Sequence, residues 1–292
     1  MSETPVVAVV GLGIMGGSIA RNLLADGIAV RGYDVDPARF APLRPALVAT
    51  ASAAEAAKGA SVMLTSLPSI AALEATVTGL LAAAPRGLVM AELSTLPIAA
   101  KEAARARLAP AGIVLLDCPL SGTGAQAITR DLAVYASGER AAYDKAEPVF
   151  KRFARTSHYL GAFGNGSRMK FVANLLVAVH NVASAEAMVL GMKAGLDPAT
   201  IVSVIAAGAG TSRVFELRAP LMAKESYAPT MKIDIWQKDM SIIAEFAKSL
   251  GVPTPTFAAS APVYDAAQAQ GLGADDTAAV CKVLEAQAKL RR

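Results

Sequence analysis

Three groups of residues in this chain have types and spacings that suit chemistry. The first is Gly11-Leu12-Gly13-Ile14-Met15-Gly16, followed by Asp34. At a strand-to-helix junction, Gly11 permits a tight turn, Gly13 lets the backbone approach a pyrophosphate, and Gly16 lets the helix pack on the strand. Phosphates would rest on the free N–H groups of the helix N-terminus, whose partial positive charge favours anions. Asp34, at the spacing of about 20 residues that this fingerprint requires, then accepts the ribose hydroxyls of NAD and faces the 2′-phosphate of NADP with a like charge. NAD is therefore expected ahead of NADP. The competing reading makes Asp34 and Asp36-Pro37 only a turn and a helix N-cap, and Arg39 is close enough in sequence to reach a phosphate.

The second group is Lys170, Asn174, Asn181 and Ser184, which fall on one side of a helix at about 100° per residue. Either this polar stripe faces water, as most such stripes do, or Lys170 and Asn174 face a nicotinamide. The third group, Lys238-Asp239, is equally open, since adjacent opposite charges usually decorate solvated faces. Cys118 and Cys281 are far apart and have no neighbouring histidine, so no metal site is expected and both read as buried thiols.

The elements that must position these groups change character along the chain. Val6–Val10 lacks alternation, as in a strand buried on both faces, and a helix is expected over Ser18–Ala25, then a strand over Ala29–Tyr33. Further apolar runs at Val62–Leu67, Leu88–Glu92 and Ile113–Leu116 alternate with alanine-rich stretches, the pattern of a doubly wound parallel sheet. Thr65–Pro68, Glu92–Thr95 and Asp117–Gly124 follow strand ends, where such sheets bind ligands. From Gly164 onward the segments read as helices, with expected spans Ser167–Ala194, Ser212–Lys224, Lys232–Leu250, Pro255–Gln270 and Asp275–Leu290, and Asp197-Pro198 opening another. The first would be roughly 40 Å long at about 1.5 Å per residue. The expected domains are 1–163 and 164–292.

Composition narrows the class. The 292 residues are 54% hydrophobic with mean hydropathy +0.43, which raises a membrane protein as the first alternative. The most apolar stretch, Phe171–Met192, contains Asn174, His180, Asn181 and Glu186, costly groups in lipid, so a buried helix of a soluble protein is expected. Met1–Pro5 lacks the features of a signal peptide, and a cytoplasmic location is expected. A net charge of +4 without basic clusters points away from nucleic acid and toward a small anionic substrate.

With its motifs in view, the chain resembles the β-hydroxyacid dehydrogenase family, which includes 3-hydroxyisobutyrate dehydrogenase and tartronate semialdehyde reductase. Four motifs stand in the family's order: Gly11–Gly16, Asp117-Cys118-Pro119-Leu120-Ser121-Gly122, Gly164–Asn174 and Lys238-Asp239. The resemblance implies a Rossmann-like domain, a long interdomain helix and an all-α carboxyl-terminal domain that often forms a homodimer or homotetramer interface. It implies hydride transfer between NAD and the hydroxyl-bearing carbon of a small β-hydroxy acid such as 3-hydroxyisobutyrate, glycerate or threonate. Lys170 would exchange the hydroxyl proton and Asn174 would orient the oxygen. Ser121, Gly122 and Thr123 would hold the carboxylate through backbone N–H groups, and Lys238 would lie beside substrate and cofactor. Leu67, Pro68 and Thr95, with Gly11 to Gly16 and Asp34, would touch the dinucleotide. Ser121-Gly122-Thr123 replaces the usual Ser-Gly-Gly, and Arg213 is a candidate second anion contact. The competing readings are an imine reductase, against which Lys170 argues, and a non-enzymatic dinucleotide-binding protein.

Overall fold

The computed structural model describes residues 6–83 and 87–292, so the reading of Met1–Pro5 as free of a leader lies outside the described residues. The chain divides into two units, Met1–Lys170 and Phe171–Arg292. In the first run β1 (Val6–Val10), α1 (Ile14–Ala25), β2 (Ala29–Tyr33), β3 (Val48–Ala49), α2 (Ala53–Ala57), β4 (Val62–Thr65) and α3 (Ile70–Ala83). There follow β5 (Val89–Glu92), α4 (Ile98–Leu108), β6 (Val114–Asp117), β7 (Leu120–Ser121), α5 (Gly124–Ile128), β8 (Ala133–Ala136), α6 (Arg140–Phe150) and β9 (Thr156–Tyr159).

Six strands form one parallel sheet in the order β3-β2-β1-β4-β5-β6. The unbroken apolar run of β1 has the cause expected of it. Val7 and Val9 join an apolar core with Ile19 and Leu23 of α1 and Phe150 of α6. Ala8 and Val10 join a different core with Leu73, Val77 and Leu80 of α3 and Leu108 of α4. Alternate side chains leave opposite faces of a strand, so two cores mean a sheet covered on both sides. The doubly wound architecture is as expected.

Two features of this unit differ from the sequence reading. α1 begins at Ile14 rather than Ser18, because Gly13 already serves as its N-cap. A separate three-stranded sheet, β7-β8-β9, had no signal in the sequence. Its strands are two to four residues long and include the polar run Thr156–Tyr159, too short and too hydrophilic for a period of two to show.

The second unit is helical. α7 (Asn165–Lys193) begins in the first unit and continues into it, followed by α8 (Pro198–Ala206), α9 (Arg213–Ala223), α10 (Ile233–Ser249), α11 (Pro255–Ala269) and α12 (Val280–Gln287). The expected helix over Asp275–Leu290 is shorter, because Asp276 instead caps a 3₁₀ turn over Thr277–Ala279. Asp276 also receives Arg218 Nη1 at 2.5 Å and the Thr230 N–H at 2.9 Å, pinning the segment ahead of α10. α7 is apolar and long enough to cross a membrane, yet 44% of its most apolar window is buried within the protein. Cys118 and Cys281 are buried free thiols; burial pushes the Cys281 pKa up to about 12 and raises that of Cys118 as well.

Candidate active site

In the first unit the glycine turn is tight against its own backbone. Gly11 has φ +84°, and a Cβ there would collide with the carbonyl oxygen of Ser66, just beyond β4. A Cβ on Gly16 would collide with the Gly11 carbonyl oxygen. Asp34, at the end of β2, braces the same turn: its Oδ2 accepts the Leu12 N–H at 2.6 Å and its Oδ1 accepts the Asp36 N–H at 2.9 Å. Each carboxylate oxygen keeps a second lone pair, so the group is oriented but can accept more. Capping belongs to its neighbour, since Asp36 accepts the Ala38 N–H at 3.0 Å and pairs with Arg39 at 3.3 Å.

The loops after β4 and β5 meet beside this turn. Leu67 donates its N–H to Ser94 Oγ at 2.7 Å, which ties the Leu67-Pro68 segment to the one carrying Thr95. Beneath them is a cluster that no periodicity in the sequence links. Lys101 of α4, Glu92 at the end of β5 and Asp117 at the end of β6 are all fully buried. Lys101 Nζ donates to the Ser94 carbonyl at 2.7 Å and to Asp117 Oδ1 at 2.8 Å. It also forms an ion pair with Glu92 Oε2 at 2.7 Å. Burial alone would lower the Lys101 pKa, but Asp117 and Glu92 raise it further, and the ammonium is held above the ordinary lysine range. With the folded value raised, the resulting stabilisation is fully present below the ordinary lysine pKa and is lost only as pH rises through the folded one.

The segment after β6 carries Ser121, Gly122 and Thr123. Ser121 ends β7, and Gly122 has φ +131° with the Leu132 side chain where a Cβ would go. Thr123 is the N-cap of α5 and donates its N–H to Gln126 Oε1 at 3.0 Å, half of a capping box. One backbone N–H expected to receive a substrate carboxylate is therefore already used.

α7 settles the question of its polar stripe. Lys170, Asn174, Asn181 and Ser184 are 7%, 3%, 1% and 5% exposed, so the water-facing reading is overturned. The stripe divides by function of the bonds. Asn181 donates to Tyr264 Oη at 3.0 Å and to the Thr277 carbonyl at 2.9 Å, bonds that tie α7 to α11 and the turn after it, while Ser184 donates back to the His180 carbonyl within α7. Asn174 Nδ2 instead donates to Asp239 Oδ2 at 3.0 Å, and Lys238 Nζ lies 3.6 Å from Asp239 Oδ1. Lys238-Asp239 is thus no solvated pair: Asp239 is buried against Asn174, a role the sequence reading missed although the motif contains it. Lys170, one turn before Asn174 along α7, is the last residue of the first unit. Arg213 is exposed on α9 and pairs with Glu216 at 3.0 Å. Among the described residues no cluster of His, Cys, Asp and Glu could hold a metal.

Comparison with known proteins places the chain in a family. Residues 6–161 match the family model for the NAD binding domain of 6-phosphogluconate dehydrogenase. Residues 164–284 match that described as NAD-binding of NADP-dependent 3-hydroxyisobutyrate dehydrogenase. L-threonate dehydrogenase of Cupriavidus necator is 37% identical, with 95% of each chain covered. The chain belongs to the 3-hydroxyisobutyrate dehydrogenase family of β-hydroxyacid dehydrogenases. 2-(Hydroxymethyl)glutarate dehydrogenase of Eubacterium barkeri is 31% identical over 98% of this chain and 96% of its own. The crystal structure of a 3-hydroxyisobutyrate dehydrogenase from Salmonella typhimurium superposes with a TM-score of 0.87 at 31% identity, covering 96% of this chain and 99% of that one.

A member of this hydroxy-acid dehydrogenase family is an oxidoreductase with a nicotinamide dinucleotide as cofactor, and the glycine turn fits that group. Gly11 and Gly16 are required by contacts within the protein, but a Cβ on Gly13 would meet nothing within 4 Å. A glycine that the fold does not need, at the N-cap of α1, fits close approach by a pyrophosphate. Gly13→Ala should cost at most about 1 kcal/mol of stability, the scale of an N-cap change, yet weaken NADH binding at least about ten-fold. Gly16→Ala should lose about 1–3 kcal/mol from overpacking. Thermal melts and fluorescence titration separate the two; unchanged NADH affinity in Gly13→Ala would remove the turn from the cofactor site.

Proposed function

We propose that this protein transfers hydride between NAD and the hydroxyl-bearing carbon of a small β-hydroxy acid, with Lys170 as general acid and base. The burial of Lys170 and Asn174 is the observation that carries this reading, because an apolar helix has no structural need for an ammonium there. The amino-terminal unit is read as the NAD-binding domain over 1–163, and 164–292 as the helical substrate and oligomerisation domain. The break between the two matched family models supports that division.

The glycine turn from Gly11 to Gly16 would hold the pyrophosphate of the dinucleotide, whose nicotinamide would supply the hydride acceptor in oxidation and the hydride donor in reduction. Neutral Lys170 takes the hydroxyl proton as the C–H bond breaks; in the reverse direction its ammonium protonates the alkoxide oxygen as hydride arrives. Asn174, itself held by Asp239, orients that oxygen. Ser121 and Gly122 receive the substrate carboxylate with Thr123 beside it, and Lys238 adds positive charge near the anionic substrate. Leu67, Pro68 and Thr95 line the dinucleotide. Threonate, 3-hydroxyisobutyrate and glycerate are the first acids to offer, since relatives named for threonate and for 3-hydroxyisobutyrate resemble the chain over nearly its whole length.

NAD over NADP rests on Asp34, whose carboxylate is already oriented by Leu12 and Asp36. The protein is further read as a cytoplasmic homodimer or homotetramer. Val172, Leu176 and Leu190 are exposed along α7 and Val204 on α8, apolar area that association would cover.

Lys170→Ala should lower kcat at least about 100-fold while NADH affinity stays within a factor of two, followed by absorbance of NADH with the acid panel. Near-wild-type turnover would take Lys170 out of the reaction. Asp34→Ala should weaken NAD much more than NADP in the same assay, and an unchanged preference would show that Asp34 only braces the turn. Light scattering should give a mass of two or four chains; a value near 29.9 kDa would sink the oligomer.

A further inference from the structure

The buried Lys101 cluster takes no part in the steps above, yet it joins the loop after β5, the end of β6 and the first turn of α7, which carries Lys170. We propose that Lys101, Asp117 and Ser167 are positioning residues, through which the ends of β5 and β6 fix the first turn of α7 and hence the direction in which Lys170 is presented. This rests on Lys170 being the proton-exchanging group.

A helix leaves its first N–H groups without partners inside the helix, and α7 has each of the following taken by a fixed acceptor. Asn165 donates its N–H to the Ala162 carbonyl at 3.1 Å and Gly166 to Ser137 Oγ at 2.9 Å. Ser167 donates its N–H to Asp117 Oδ2 and its hydroxyl to Asp117 Oδ1, both at 2.7 Å. Gly166 is pressed so close that a Cβ would collide with the Tyr135 carbonyl oxygen. A turn held by two bonds to one carboxylate and by backbone contact can neither slide nor rotate. Ser167 and Lys170 stand three residues apart, on one face of the helix, so fixing the former sets the bearing of the latter.

Lys101 in turn sets Asp117. Its ammonium holds Asp117 Oδ1, Glu92 Oε2 and the Ser94 carbonyl, the residue before Thr95. One buried cation therefore orients the segment expected to touch the dinucleotide and the residue that anchors α7. A displacement of about 1 Å at a reacting group is enough for a loss of about 100-fold in rate, so a small slackening of this turn should be read in kcat rather than in binding.

The test compares Ser167→Ala, Ser167→Thr and Lys101→Met, with NAD and L-threonate as the assay pair. Acetic anhydride labelling of Lys170 against pH, read by mass spectrometry, gives a second measure that needs no substrate. Ser167→Ala removes one hydroxyl and leaves no charge uncompensated, so it carries the test if Lys101→Met does not fold. Expected are a kcat about ten-fold lower or a shifted Lys170 labelling profile, NADH affinity within two-fold of wild type, and recovery in Ser167→Thr, which keeps the hydroxyl. Folded Ser167→Ala with wild-type kcat and a wild-type labelling profile overturns the proposal. Should Lys170→Ala keep its turnover, the acid–base reading fails and takes this inference with it; should only Ser167→Ala be unaffected, positioning alone fails.

Discussion

An ammonium shut away from water needs compensation for its lost hydration, and Lys101 is placed where the ends of β5 and β6 supply two carboxylates. Desolvating each such ion costs several kcal/mol, and removal of one member leaves the others uncompensated at a cost of about 3–5 kcal/mol. The geometry must therefore be good on every side. That requirement brings α4, the Ser94 loop, β6 and the start of α7 to one point. Glu92 and Asp117 lie at carboxyl ends of parallel strands, where ligands of such sheets bind, so the most tightly specified polar contacts of the unit lie under its most functional loops.

Backbone proximity does for the cofactor turn what charge does for the cluster. Gly11 and Gly16 are glycine because carbonyl oxygens already occupy the space of a side chain. Asp34 then crosses from β2 to hold the Leu12 N–H, so the second strand supports the turn after the first. Gly13 stands in contrast to both, open on the side where a pyrophosphate would approach.

Burial separates residues of one chemical type into different tasks on α7. Asn181 donates to Tyr264 and to the Thr277 carbonyl and so joins α7 to α11 and to the 3₁₀ turn that follows it. Asn174 meets a carboxylate that also faces Lys238. An amide bonded to a hydroxyl and a carbonyl serves packing. An amide bonded to a buried carboxylate beside a lysine is held in one orientation at the cost of desolvating a charge, an arrangement expected of a site rather than of a core.

Much of this was legible in the residues themselves. The parallel sheet showed as apolar runs without alternation, the cofactor turn as three glycines between a strand and a helix, and the helix starts as Asp197-Pro198 and Ser212. Such features are local: backbone sterics and burial of a whole strand leave a pattern within a few residues. The small β7-β8-β9 sheet left none, since strands so short depend on neighbours rather than on their own period. The stripe from Lys170 to Ser184 announced its helix face but not its solvent, and Arg213 could not reveal that Glu216 would take it. By itself the sequence determined where the chain turns, which strands are buried and which family it joins. Only the tertiary structure decided which polar residues are enclosed, and which carboxylate each one meets, because desolvation and ion pairing depend on groups that the chain brings together from distant positions.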